Sequence, residues 1–350
     1  MNYIIKLHLE FNQTLAIKKI VLFLLLMFSL NTYSQENAPN YIIDFITTEN
    51  GLSHNYTTSV ISDNLNVKWI GTENGITKFN GYDFEYLKPG SKYKELLNEN
   101  IEVLFKYKDS NIWIGTKSGG LSCLDIKNNL IKNFNYLINL IGEGSLRVIS
   151  LSQDNDGNIW VGTWKNGLYV IDYKNDKLIE HFDFLTPAYT IIKDFNGYMW
   201  FPFGYQLAKY IPAEKKAHLY NVKGFITDLV SDHGRNKIWI ATTESDGKIY
   251  NYNYETDIIE SLETKVKSSF SKKLSIDKSG RIWIGTWGRG VYRSSDDLTE
   301  FSKIDLVPKT SEKISANYNT ILDIHQDINN TTWLSTTNGG VVKLVESNGF

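Results

Sequence analysis

Asp277-Lys278-Ser279-Gly280-Arg281-Ile282-Trp283-Ile284-Gly285-Thr286 decides the fold, because the chain keeps returning to it. Its second half recurs as Trp69-Ile70-Gly71-Thr72, Trp113-Ile114-Gly115-Thr116 and Trp160-Val161-Gly162-Thr163. Looser copies stand at Trp239-Ile240-Ala241-Thr242 and Trp333-Leu334-Ser335-Thr336. Together with Trp200, these seven tryptophans are spaced 44, 47, 40, 39, 44 and 50 residues apart. A period in that range corresponds to one four-stranded propeller blade. The expected fold is therefore all-β, a single seven-bladed β-propeller of four-stranded blades.

Side chains alternate along a strand, so Trp and Gly share one face of the phrase while Ile or Val shares the other with Thr. Neither face is suited to water, and a blade sandwiched between two neighbours buries both. The small residue two positions after each Trp leaves room for the adjoining blade. Burying one Trp removes about 200 Å² from water, worth on the order of 5 kcal/mol before chain entropy offsets most of it. These tryptophans are expected to be core.

The first half of the phrase is a turn signal. Asp63, Asp154, Asp194, Asp277 and Asp327 each precede their tryptophan by six residues, often with Gly between. An Asp that bonds the following backbone and a Gly free to take positive φ make a tight hairpin turn. Recurrence in blade after blade argues that these carboxylates hold turns rather than metals or protons. After each Trp strand comes Gly plus an aliphatic residue, as in Gly75-Ile76, Gly120-Leu121, Gly167-Leu168, Gly290-Val291 and Gly340-Val341. The unit is strand A ending at the Asp, B at the Trp, C after the Gly, and a variable D. The seventh repeat supplies only A, B and C before the sequence stops. Tyr41 to Thr47 has no blade of its own, so it is expected to close the ring beside the last C strand and cover an open edge. In the fourth repeat Trp200-Phe201-Pro202-Phe203-Gly204-Tyr205 breaks the pattern, and Pro202 predicts a locally irregular B strand.

A chain of 350 residues with 42% apolar and 22% charged side chains is ample for a globular core, and 21 Tyr, 17 Phe and 9 Trp suit strands. A formal charge of −2, with no basic cluster interleaved with aromatics, argues against nucleic acid as a partner. Lys18-Lys19 and the apolar run Ile20 to Leu30 read as a secretory signal cut near Ser34, too short for a membrane span of about 18 to 20 residues. The expected domains are a signal peptide over 1–34 and the propeller over 35–350, placed in the periplasm or otherwise exported. Cys123 is the only cysteine, so no intrachain disulfide forms. No His-x-x-x-His, paired-Cys or EF-hand spacing occurs, and no metal or other cofactor is expected.

The segment Phe45-Ile46-Thr47-Thr48-Glu49-Asn50-Gly51-Leu52-Ser53-His54-Asn55-Tyr56, followed by the Trp-Ile-Gly-Thr repeats, resembles the two-component regulator propeller family. The resemblance covers roughly residues 41 to 344. It implies the periplasmic sensory part of a hybrid two-component system, many of which detect carbohydrate breakdown products. Such sensors usually carry two propellers, a β-sandwich, a membrane helix and a histidine kinase. The sequence shows no kinase phosphoacceptor phrase or nucleotide box, so the chain is expected to be a piece of a longer sensor, or else a free-standing exported propeller.

In a propeller the B-to-C and D-to-A connections gather on one face around the channel. The B-to-C connections place Glu73, Lys117, Trp164, Lys165, Asn166, Tyr205, Trp287 and Arg289 there. Trp164 and Trp287 lie outside the repeated phrase. An aromatic ring beside Lys, Arg and Asn suits a sugar face with its hydroxyls or acidic groups. The expected ligand is a small oligosaccharide or related molecule, with no catalytic residue assigned. Competing readings are an exported lyase or hydrolase, for which Glu73, Glu244 and Asp246 would be the candidate acids, and a protein-interaction scaffold.

Overall fold

A computed structural model describes residues 40–90, 95–106, 111–141, 144–244, 247–266, 270–307 and 316–347. The expected signal peptide and Asp246 lie outside these residues. Among them, no helix is long and apolar enough to cross a membrane.

Ile42–Glu346 form one compact unit, built of seven four-stranded antiparallel sheets. Blade one shows the plan, with A over Thr57–Ser62, B over Lys68–Thr72, C over Gly75–Phe79 and D over Phe84–Leu87. Blade seven takes A, B and C from Ile321–Gln326, Thr332–Thr336 and Val341–Ser347, and its fourth strand from Asn40–Ile46. The N-terminal strand thus closes the ring as expected. Asn40, Tyr41 and Ser347 belong to a second compact unit, in which Ser347 Oγ donates to the Asn40 carbonyl at 2.9 Å.

The A strands of blades two to six are Ile101–Phe105, Val148–Gln153, Ile192–Lys193, Ile226–Asp232 and Ser271–Ile276. Each A strand packs on the next, and the seventh packs on the first. Behind them the B strands are buried on both faces, with no residue of Lys68–Thr72, Ile159–Thr163, Ile282–Thr286 or Thr332–Thr336 left even half-exposed. The seven repeat tryptophans are at most 4% exposed. Close approach explains the small residue after each. A methyl on Gly71 would meet Ile101 at 2.8 Å, one on Gly115 would meet Val148 at 2.7 Å, and one on Gly285 would meet Ile321 at 2.8 Å, each on the next blade's A strand.

The recurring aspartates do two jobs at once. In Asp154, Oδ1 accepts from Asp156 N and Asn158 N at 3.0 and 2.8 Å, closing the turn, while Oδ2 accepts from Trp160 Nε1 at 3.0 Å. The same indole bond joins Asp63 to Trp69, Asp194 to Trp200, Asp277 to Trp283 and Asp327 to Trp333. Each buried indole N–H is thereby satisfied. Gly157 and Gly280 take φ of 88° and 81° in these turns, and Asn66 and Asn330 take the same left-handed role in blades one and seven. Asp232 serves Trp239 from seven residues away, because its turn is one residue longer.

Blade four corrects one expectation. Its B strand, Met199–Phe203, is regular and pairs with C along its whole length. The irregularity falls instead on strand A, which pairs only through Ile192 and Lys193. That ladder ends at Trp200, and Pro202 beyond it has no N–H with which to extend it.

Candidate functional site

In blades one, two, three, six and seven the Thr ending strand B shapes the loop that follows. Thr163 Oγ1 donates to the Gly167 carbonyl at 2.8 Å and accepts from Asn166 N at 2.9 Å, and Thr286 treats Gly290 and Arg289 N in the same way. The first loop residue is then pinned to the residue that leads into its own A strand. Glu73 N donates to Tyr56 O, Lys117 N to Asn100 O, Trp164 N to Arg147 O and Trp287 N to Phe270 O, at 3.0 to 3.3 Å. These main-chain ties assemble the channel mouth from pairs seventeen residues apart.

The channel encloses about 820 Å³. Of the eight residues expected at the site, Glu73, Lys117, Trp164 and Trp287 line it. Lys165, Asn166, Tyr205 and Arg289 do not. Lys165 and Arg289 are exposed, the Asn166 carbonyl accepts from His181 Nε2 at 3.0 Å, and Tyr205 leans on Phe225 with ring centres 4.4 Å apart. Glu244, the described candidate acid of the fifth loop, is also absent from the lining.

The structure adds lining groups that loop reading misses. Arg147 sits with its guanidinium carbon 4.3 Å from the Trp164 ring centre and makes a two-pronged bond to Glu102, at 3.0 and 3.2 Å. Trp164 meets the edge of Tyr189 at 5.7 Å, and Lys272 Nζ lies 5.1 Å from the Tyr189 ring centre. On the same rim, Trp287 is 53% exposed and packs edge-on against Phe270. Burial raises the Tyr56 pKa, with Glu73 and Glu102 adding to it and Arg147 opposing.

Glu102 and Lys272 reach the mouth through a shared backbone device. In six blades the A-to-B register slips by one residue near the start of strand A, leaving Thr58, Glu102, Ile149, Thr227, Lys272 and Leu322 as the extra, unpaired residue. A bulge re-aims the side chain it carries, and all six residues line the channel. No local motif in the sequence marks a bulge. The signal available was positional, since each of these residues stands eleven before its Trp, except Thr227, which stands twelve before Trp239.

Deeper in, Lys273 Nζ lies 3.3 Å from Asp228 and 3.7 Å from Asp323, on the two flanking blades. Asp228 also accepts from Leu274 N, and Asp323 from Val60 N. Burial disfavours the Lys273 charge, but the two carboxylates overcome it and raise its pKa above the ordinary lysine value. Its neighbour Lys272 goes the other way. Burial and the Lys273 charge lower the Lys272 pKa, only partly offset by Asp228 and Glu102. At the far end His325 Nε2 and Ser62 Oγ are 2.8 Å apart. Among the described residues, no group of three or more His, Cys, Asp or Glu is placed to hold a metal.

A family model described as a two component regulator propeller matches residues 142–165, which contain strands A and B of blade three. The chain is similar in structure to the extracellular domain of a hybrid two component system from B. thetaiotaomicron, with TM-score 0.71 and 20% identity over 88% of this chain and 42% of that one. A second such domain from the same organism gives TM-score 0.70 and 21% identity over 89% and 40%. Virginiamycin B lyase from Staphylococcus aureus gives TM-score 0.68 and 14% identity over 87% and 99%. No curated protein matches the chain in sequence. At these identities the structural likeness establishes the fold alone, and the chain spans about two fifths of the length of the two sensor domains. The chain carries the two component regulator propeller repeat, set in a closed ring of seven blades.

Proposed function

We propose that this propeller is the ligand-binding part of an exported two-component sensor and that its channel mouth receives a carbohydrate-derived signal. The observation that carries this reading is the rim itself. Trp164 and Trp287 are the two tryptophans outside the repeat, and both stand at the cavity beside charged or aromatic partners rather than inside a blade. Such rings stack on sugar faces, and nearby polar groups bond the hydroxyls. The propeller binds its ligand without turning it over, and in a longer chain a second propeller and C-terminal signalling domains pass the signal on. Calorimetry of the purified chain against a glycan panel tests this. Binding that weakens in Trp164→Ala or Trp287→Ala supports the site, and undiminished binding in both variants removes it.

A lyase reading rests on the near full-length match to virginiamycin B lyase. Product formation from any bound saccharide or cyclic peptide would favour that reading over the sensor.

A further inference from the structure

Charges lining the channel are unevenly paired. Among the six bulge residues that point into the channel, only Glu102 and Lys272 are charged. Glu102 is taken up by the two-pronged bond from Arg147. Lys273, next along the strand, is held between Asp228 and Asp323. Lys272 has no such counterpart: among the described residues no carboxylate comes within ion-pair distance of it, and its ammonium instead faces the Tyr189 ring. Tyr189 touches Trp164, and Trp164 carries Arg147 on its face, so two cations border one pair of rings with one carboxylate between them. Lys272 thus stands as a cation without a direct ion-pair partner beside an aromatic platform, partly removed from water.

We propose that the saccharide bound at this mouth carries a singly anionic substituent, a carboxylate or a sulfate ester, seated against Lys272 while its sugar ring lies on Trp164 and Tyr189. This rests on the carbohydrate reading given above and narrows it to acidic saccharides. An anion at this place supplies the close partner that Lys272 lacks, and it offsets the burial and the Lys273 charge that lower the Lys272 pKa. Lysine suits the role as a compact point charge, whereas the Arg147 fork is already occupied.

The experiment compares three matched tetrasaccharides on the purified full chain: one with a glucuronate residue, its carboxyl-reduced neutral twin, and the neutral twin bearing one sulfate ester. At least one charged twin should bind ten times or more tightly than the neutral one, with an affinity that falls as salt rises. The twin that wins identifies the substituent. Lys272→Met should erase the preference and Lys272→Arg should keep most of it, both with native melting temperatures. Equal binding of all three sugars to the unaltered chain overturns the anion seat while leaving the carbohydrate reading intact, and this arm needs no variant to fold. Failure of every sugar to bind removes both readings.

Discussion

Two sets of tryptophans share this molecule and meet opposite surroundings. The seven of the repeat lie inside blades, none more than 4% exposed, and those with a described turn aspartate bond it through the indole nitrogen. Trp164 and Trp287 lie one residue past the end of a B strand, where the buried phrase gives way to the mouth. Trp287 is half in water, and Trp164 holds a cation on its face. The lesson is that residue type does not assign a role here. Position relative to the Thr at the strand end does, because that hydroxyl turns the chain from packed strand to channel rim.

The contrast breaks most sharply if a repeat tryptophan is lost. Trp160→Ala should destabilise by about 4 kcal/mol, through lost burial and a cavity between blades three and four, seen as a lower denaturant midpoint. Next comes the seam between blades one and seven, where Lys68 Nζ and Asp327 lie 3.1 Å apart with both side chains 4% exposed. Lys68→Met leaves a buried carboxylate without its cation and should cost about 3 kcal/mol. Asp277→Ala frees an indole N–H and a turn together and should cost about 2 kcal/mol.

The same seam should answer to pH. Burial lowers the His325 pKa below its ordinary 6.5, with Lys68 acting in the same direction while Asp323 and Asp327 oppose. A depressed folded pKa stabilises above the unfolded value, so this contribution is whole above pH 6.5 and is lost as the pH falls through the lower folded value. The melting temperature should drop between pH 7 and 5, and the drop should shrink in His325→Gln, read against Ser62 as its hydrogen-bond partner. Smallest of all is the mouth. Trp164→Ala should cost stability no more than about 1 kcal/mol, mainly its contact with Arg147, while weakening saccharide binding. Lys165→Ala, exposed and off the cavity, should change stability by less than about 0.5 kcal/mol.

The blade count, turn aspartates and N-terminal closure were legible in the sequence because each depends on local chemistry repeated at a fixed period. Asp six before Trp and Gly at positive φ are constraints that one blade must satisfy alone, and Gly two after Trp answers to a neighbour that recurs in each blade. Asp232 escaped this reading because one added turn residue shifts its offset to seven. Pro202 was legible as a disruption but not in its location, since the missing donor shortens the neighbouring strand and leaves its own intact.

At the mouth, half of the eight residues expected there line the channel. Glu73, Lys117, Trp164 and Trp287 are first residues of loops pinned by main-chain bonds, whereas Lys165, Asn166, Tyr205 and Arg289 sit further out or turn aside. Arg147, Tyr189, Glu102 and Lys272 belong to four different blades, with Arg147 and Glu102 forty-five residues apart. Sequence alone determined that seven blades would form and which residues would fill them, because burial and turn geometry act within a repeat. Only the closed ring decided which charges share the channel and which of them pair across blades, because Coulomb interactions depend on distances that ring closure sets.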